Sequence, residues 1–244
     1  MNVDAPARLL EPAHPQAAVC AACGVRQFAL CGVLDESGMD RFLRQISDVQ
    51  VEPGERIFGA QDAGQAVYTV RVGVVRLERV SPSGERRILR LAGRTDLIGL
   101  EALLGQRYAA DAVACTTVEL CRIPRAAIDE LRALEPQMVT DLMKRWQRAL
   151  DDSEEWLAEL ATGPARRRML RLLLKLSEYA THENGRVWMP MREEMSAMLD
   201  MTVETASRIV STLRRQGMIT PLSVREARIA MPALLAALSD IDKP

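Results

Sequence analysis

REEMSAMLDMTVETASRIVSTLRRQGMI, residues 192–219, decides how the chain is read. Met195, Met198 and Leu199 recur at the steps that put them on one face of a short helix. Asp200-Met201-Thr202 interrupts that pattern, and the Thr202 hydroxyl can accept from an orphan backbone N–H as the N-cap of a second helix. The spacing predicts that second helix from Val203 to about Gln216. Its buried face is Ala206, Ile209, Val210 and Leu213, and Gly217 stops it. Its first turns then expose Glu204, Thr205, Ser207 and Arg208. Two helices joined by a tight turn, with short polar and charged groups opening the second, have the layout of a DNA-reading helix-turn-helix. Arg can bond guanine O6 and N7 together, Glu can accept from cytosine N4, and Ser can serve either role. Arg214 and Arg215 are candidates for phosphate contact.

Upstream, a helix is expected from Ala165 to Tyr179, opened by Arg166-Arg167-Arg168. Gly163-Pro164 is a strong breaker and marks a domain boundary. Before it, Val139, Leu142, Met143, Trp146, Leu150, Ser153, Leu157 and Leu160 recur at helical steps after Pro136, which suits a first helical position. That is one mostly apolar stripe on a helix of roughly six to seven turns. A small β-domain covers only part of such a helix, so the stripe predicts pairing with the same helix of a second copy. Asp151, Asp152, Glu154 and Glu155 lie around it, so like charges approach in such a pair.

From Val49 to about Ile123 the texture is short β-branched runs separated by turns. Val70, Val72 and Val74 alternate with Arg71 and Gly73, the period of two of a half-buried strand. Pro53-Gly54 and the SPSGE segment, residues 81–85, supply tight turns. Many short strands at regular spacing predict a sandwich or barrel-like roll. Ahead of it, Leu34, Met39, Phe42, Leu43 and Ile46 have helical spacing, and residues 1–19 read as a loose Ala/Pro-rich arm. The tail after the helix-turn-helix reads as a small strand and a closing helix.

Three of the five cysteines, Cys20, Cys23 and Cys31, sit at the end of that arm. The N-terminus lacks the basic and apolar regions of a secretory signal, and no apolar run suggests a membrane span. The expected compartment is therefore the reducing cytoplasm, and an odd cysteine count fits a disulfide framework badly. A C-x2-C pair lets two sulfurs reach one metal centre, and taken alone the thiols suit iron–sulfur and zinc equally. Cys115 reads as a buried structural thiol and His14 as a spectator. Net charge is −1 over the whole chain, but from Pro164 onward 13 Lys+Arg face 9 Asp+Glu, a basic module on an acidic body. No P-loop, no H-E-x-x-H pattern and no nucleophile–base constellation is present, so the chain is not read as an enzyme.

A β-roll, a long helix and a C-terminal helix-turn-helix together resemble the cyclic-AMP-receptor/fumarate-nitrate-regulator (CRP/FNR) family of bacterial transcription factors. TVETASR, residues 202–208, resembles the recognition helix of the oxygen-sensing FNR branch. The resemblance implies an α+β chain. Its arm is 1–32, its β-roll 33–135, its dimerisation helix 136–162 and its winged helix-turn-helix 163–244. It implies that Glu204, Ser207 and Arg208 read a TTGAT-type half-site in a palindrome of double-stranded DNA. It also implies a homodimer with RNA polymerase as a further partner. In the oxygen sensors a 4Fe–4S cluster is held by three N-terminal cysteines and one at the end of the roll, which fall here on Cys20, Cys23, Cys31 and Cys121. Asp200 stands where relatives often carry Gly. The cyclic-nucleotide signature is not matched, because Glu101 is out of phase and Arg107 is followed by Tyr108 instead of a small hydroxyl residue.

Overall fold

The structure is a computed structural model and describes residues 20, 23, 25, 39, 42–134, 136–179 and 185–241. Eight of its strands form a roll: β1 (Ser47–Val51), β2 (Arg56–Phe58), β3 (Ala66–Val72), β4 (Val75–Val80), β5 (Arg86–Ala92), β6 (Leu97–Ile98), β7 (Asp111–Ala114) and β8 (Val118–Pro124). They make two antiparallel sheets, ordered β1-β8-β3-β6 and β2-β7-β4-β5. Both sheets turn their apolar positions into one core, with Val67, Val70 and Leu120 from the first and Val75, Ala112 and Ala114 from the second. The turns arise where the sequence placed them. Gly54 takes φ 90° after Pro53, and Gly84 takes φ 83° as the Ser81 N–H bonds the Glu85 carbonyl at 2.8 Å. Met39, Phe42, Leu43 and Ile46 close the same core from the N-terminal side.

Helices α1 (Arg125–Leu134) and α2 (Pro136–Leu160) follow. The stripe expected along α2 divides into two faces. Met138, Leu142, Trp156 and Leu160 are buried, whereas Val139, Met143, Trp146, Leu150 and Leu157 are open to solvent. The first set packs inward, with Met138 and Leu142 on the roll core and Trp156 and Leu160 on a second core. Sequence spacing merged two adjacent faces into one stripe, because steps of three and four residues drift around a helix of this length. Ser153 is on neither face as an apolar residue: its hydroxyl donates to the Ala149 carbonyl at 2.8 Å.

After Gly163-Pro164 come α3 (Ala165–Glu178), β9 (Val187–Trp188), α4 (Arg192–Leu199), α5 (Val203–Arg215), β10 (Ile219–Pro221), β11 (Glu226–Ile229) and α6 (Met231–Ile241). The three strands pair in the order β10-β11-β9 and form the wing beside the two-helix unit. β10 is an element that the sequence reading passed over, as Gly217 and Pro221 mask a strand of three residues. The second core gathers Met169, Leu172, Leu173, Met195, Leu199, Val210 and Leu213. It also takes in Val74, Ile88, Leu91 and Cys115 of the roll, so the C-terminal module is packed onto the β2-β7-β4-β5 sheet.

Candidate DNA-binding surface and cysteine site

α5 begins as its sequence demands. The Thr205 N–H donates to the Thr202 hydroxyl at 3.2 Å, satisfying one of the orphan donors of the first turn. Asp200, which closes α4, adopts φ 52°, so an aspartate does here what glycine usually does, and the turn keeps its left-handed corner. Ala206, Val210 and Leu213 are buried against α4 and α3, while Ile209 is only half-buried. Glu204, Ser207 and Arg208 are all exposed on the free side. Their backbone is rigid where their side chains are free, which is what reading base edges requires. The Glu204 carboxyl is held below the usual carboxylate range by its own backbone N–H and by the Thr202 hydroxyl, so it stays an acceptor at neutral pH.

Further along the helix, Arg208, Ser211, Arg214, Arg215 and Thr220 line an open groove of about 600 Å³ between α5 and β10, with no acid on its wall. Half-buried Arg192 is held below its ordinary value by desolvation and then by the neighbouring Arg214. The Arg208, Arg214 and Arg215 charges along this groove suit a polyanion. Arg192 was missed in the sequence because its proximity to Arg214 depends on how α4 packs on α5.

A second feature no sequence pattern announces ties this module to the roll. Glu194 on α4 is buried, and its Oε1 accepts from Arg76 Nη1 on β4 at 3.2 Å across 118 residues of chain. Its Oε2 accepts from the Met191 N–H at 2.7 Å and from Arg225 of the wing. Arg76 is also held by Glu78 at 2.7 Å. Arg87 of β5 bonds Asp200 at 2.9 Å. Cys115 lies beside Arg76 within this contact, where burial pushes its thiol up to about 12. A thiol so protonated is a weak nucleophile and metal ligand, in keeping with a structural role.

The thiols assigned to a cluster lie elsewhere. Cys20 is buried in the roll core, and Cys121 packs against that same core from β8. Cys121 is opposite Asp48 on one side and Thr69 on the other. Arg71 bridges Asp48 at 2.8 Å and Glu119 at 3.2 Å, so these groups share the sheet face that carries Cys121. Cys23 lines a cavity together with Arg71 and Glu119, which brings the C-x2-C segment over the same end of the roll. The Cys23 N–H bonds the Cys20 carbonyl at 3.3 Å, a tight turn that keeps the pair together. Thr69 beside Cys121 is 1% exposed, yet its hydroxyl has no hydrogen-bond partner. A buried donor of this kind lacks an acceptor, and sulfur held by the adjacent thiols would supply one. Cys20, Cys23 and Cys121 thus lie at one end of the roll. Cys31 lies outside the described residues, and among those residues no three His, Cys, Asp or Glu side chains converge as a metal site.

Glu101 and Arg107 are turned to local duty. Glu101 accepts from the Ala109 N–H at 3.1 Å, and Arg107 donates to the Gln61 carbonyl at 2.5 Å. Tyr108 is stacked on Phe58 at a centroid distance of 4.0 Å and donates to the Ala66 carbonyl at 2.7 Å.

Residues 48–134 match the cyclic nucleotide-binding domain, and residues 167–238 match the Crp-like helix-turn-helix domain. The chain belongs to the CRP/FNR family of transcription regulators. It is 28% identical to the nitrogen fixation regulation protein FixK of Bradyrhizobium diazoefficiens, over 84% of this chain and 88% of that one. It is 29% identical to the transcriptional activator protein FnrA of Stutzerimonas stutzeri, over 78% of this chain and 79% of that one. The structure of FixK2 from Bradyrhizobium japonicum superposes with a TM-score of 0.70 at 23% identity, covering 82% of this chain and 98% of that one. CRP/FNR regulators bind DNA and typically act as dimers, which accounts for the exposed α5 face and for an α2 face that is open to solvent among the described residues. Among the described residues no helix is long and apolar enough to cross a membrane.

Proposed function

We propose that this CRP/FNR regulator is iron–sulfur-dependent, responds to oxygen or nitric oxide, and binds a TTGAT-type palindrome as a homodimer. The observation that carries the reading is that Cys20, from the arm, and Cys121, from the last strand of the roll, both pack on one core. A 4Fe–4S cluster on Cys20, Cys23, Cys31 and Cys121 supplies a bond network among four thiolates that oxidants can break. The chain's own part is positional. Cys20 is buried in the roll core, and Cys121 lies on β8, which leads through α1 to α2. An arm held there favours one placement of α2. The open seam of Val139, Met143, Trp146, Leu150 and Leu157 then pairs with its copy. Pairing sets the two α5 helices about 34 Å apart, one helical turn of DNA, with Glu204, Ser207 and Arg208 on base edges. RNA polymerase is the partner of the dimer once it stands on a promoter. The kinship with FnrA and with the fumarate and nitrate reduction regulatory protein of Vibrio cholerae, 25% identical over 210 residues, supports the assignment.

The test is iron and acid-labile sulfide per chain after anaerobic purification, repeated after brief exposure to air. About four of each is expected, falling in air together with affinity for a TTGAT palindrome. Zinc without sulfide, with DNA binding indifferent to air, overturns the reading and makes the thiols structural.

A further inference from the structure

Between the roll, α2, α3 and the wing lies a cavity of about 1100 Å³, away from the Glu101–Arg107 loop where the family's nucleotide signature would fall. Its size is at the upper end for small-molecule sites. Two of its lining groups are buried donors without acceptors. Trp188, on β9 of the wing, is 7% exposed and its indole N–H has no partner. Arg71, on β3 of the roll, spends Nη2 on Asp48 and Glu119 but leaves its buried Nε–H unpaired. Buried donors are nearly always satisfied, and two unsatisfied ones on a single cavity are an exception that asks for an acceptor-bearing occupant. Exposed Arg148 of α2, which also lines the cavity, adds a cation, and the rings of Trp188 and Tyr179 supply flat walls. Acids also line the wall: Glu119 holds Arg71, Glu178 holds Lys175 at 3.1 Å, Glu226 meets Arg186 at 3.5 Å, Asp96 accepts from the Gly93 N–H, and Asp152 stands on α2, against six lining Lys and Arg side chains.

We propose that this cavity is a binding site for a flat organic anion, an aromatic ring bearing an oxyanion, which lies against Tyr179 and Trp188 and accepts from the Trp188 and Arg71 N–H groups. Cys23 also lines this cavity, but none of the groups named for the anion is a thiol, so the test reads organic-anion binding apart from iron and sulfide. An occupant touching Arg71 on the roll and Trp188 on the wing favours the docked placement of the DNA-binding module over any other.

Calorimetric titration of the full chain with naphthalene-1-sulfonate tests it, with 1-naphthalenemethanol as the uncharged ring. One sulfonate per chain is expected, bound about tenfold more tightly than the alcohol. Trp188→Phe keeps a flat wall but removes the donor, and should weaken the sulfonate about tenfold while leaving the alcohol unchanged. Arg148→Gln, at an exposed position where folding is not at risk, should weaken the sulfonate by roughly threefold. The proposal is overturned if sulfonate and alcohol bind alike, if the sulfonate does not bind at millimolar concentration, or if both variants titrate as the parent does.

Discussion

In the roll core, Val67, Val70, Ile98, Leu120 and Ile123 pack with other apolar side chains, and the helix residues Met39, Phe42 and Leu43 seal it. The second core is also apolar at its centre, around Leu172, Met195 and Leu213. Its border is not. Where it reaches the roll, it ends on Arg76, Glu78 and Glu194, charges buried to within a tenth of full enclosure. The cause is visible in β4, which alternates Val75 and Leu77 into the roll with Arg76 and Glu78 towards the DNA-binding module. The first core folds on local apolar patterning alone. The second fixes one orientation of α4 against the sheet, because hydrogen-bonded charges tolerate a single geometry where methyl groups tolerate several. A regulator needs that second property, since the placement of the recognition helix is its output.

Glu194→Ala is the sharpest way to break this contrast. It takes one of two carboxylates from Arg76, which keeps Glu78 at 2.7 Å, and leaves the Met191 N–H without its acceptor, a loss of about 1–3 kcal/mol. Urea unfolding should show that loss. The triple variant Arg76→Leu, Glu78→Leu and Glu194→Leu removes the buried charges together and should recover most of it, since a buried charge cluster and an apolar replacement are often near equal. If the single variant unfolds like the parent, the border of the second core carries no stability and the contrast fails. A smaller effect probes the recognition helix from within the module. Thr202→Ala removes the acceptor of the Thr205 N–H and should cost about 1 kcal/mol, visible in the same melts and as weaker binding to a palindromic duplex.

These two sites also show what sequence could and could not announce. Thr202, Ala206, Val210, Leu213 and Gly217 are a run of local instructions: a cap, a face and a stop, each acting within a few residues. Such signals can be read without knowing the fold. The same is true of Pro53-Gly54 and of the SPSGE turn. The Arg76–Glu194–Arg225 contact joins a strand, a helix and the wing, and nothing near any of the three residues marks it. The α2 stripe lies between these cases. Its period was legible, but which residues face the roll and which face solvent depends on where the sheet sits, so Met138 and Trp156 were passed over. The cysteines divide similarly. Spacing nominated Cys20 and Cys23 as a pair, while the pairing of Cys121 with Thr69 and the unsatisfied hydroxyl beside it needed the register of β3 on β8.

Asp200 gives the finest test, because it belongs to both the local and the long-range class. Its left-handed φ of 52° is a local demand that glycine meets more cheaply, by roughly 1 kcal/mol. Its carboxylate, meanwhile, takes the 2.9 Å bond from Arg87 across the interface, and that bond first, then the Arg87 charge, holds it below the usual carboxylate range. Asp200→Gly should therefore be close to neutral in stability near pH 7, the relief of the backbone offsetting an exposed ion pair of small worth. The pH dependence separates the two effects. A depressed folded value means the ion pair contributes fully above the ordinary aspartate range and is lost as pH falls through the folded value. The parent should accordingly lose stability on acidification slightly faster than Asp200→Gly. In Arg87→Gln, carbon-detected NMR titration should find the Asp200 carboxyl moved up towards the ordinary aspartate range. An Asp200 that titrates in its ordinary place in the parent would remove the second bridge between the roll and the reading helix, leaving Glu194 to hold that border with Arg76 alone.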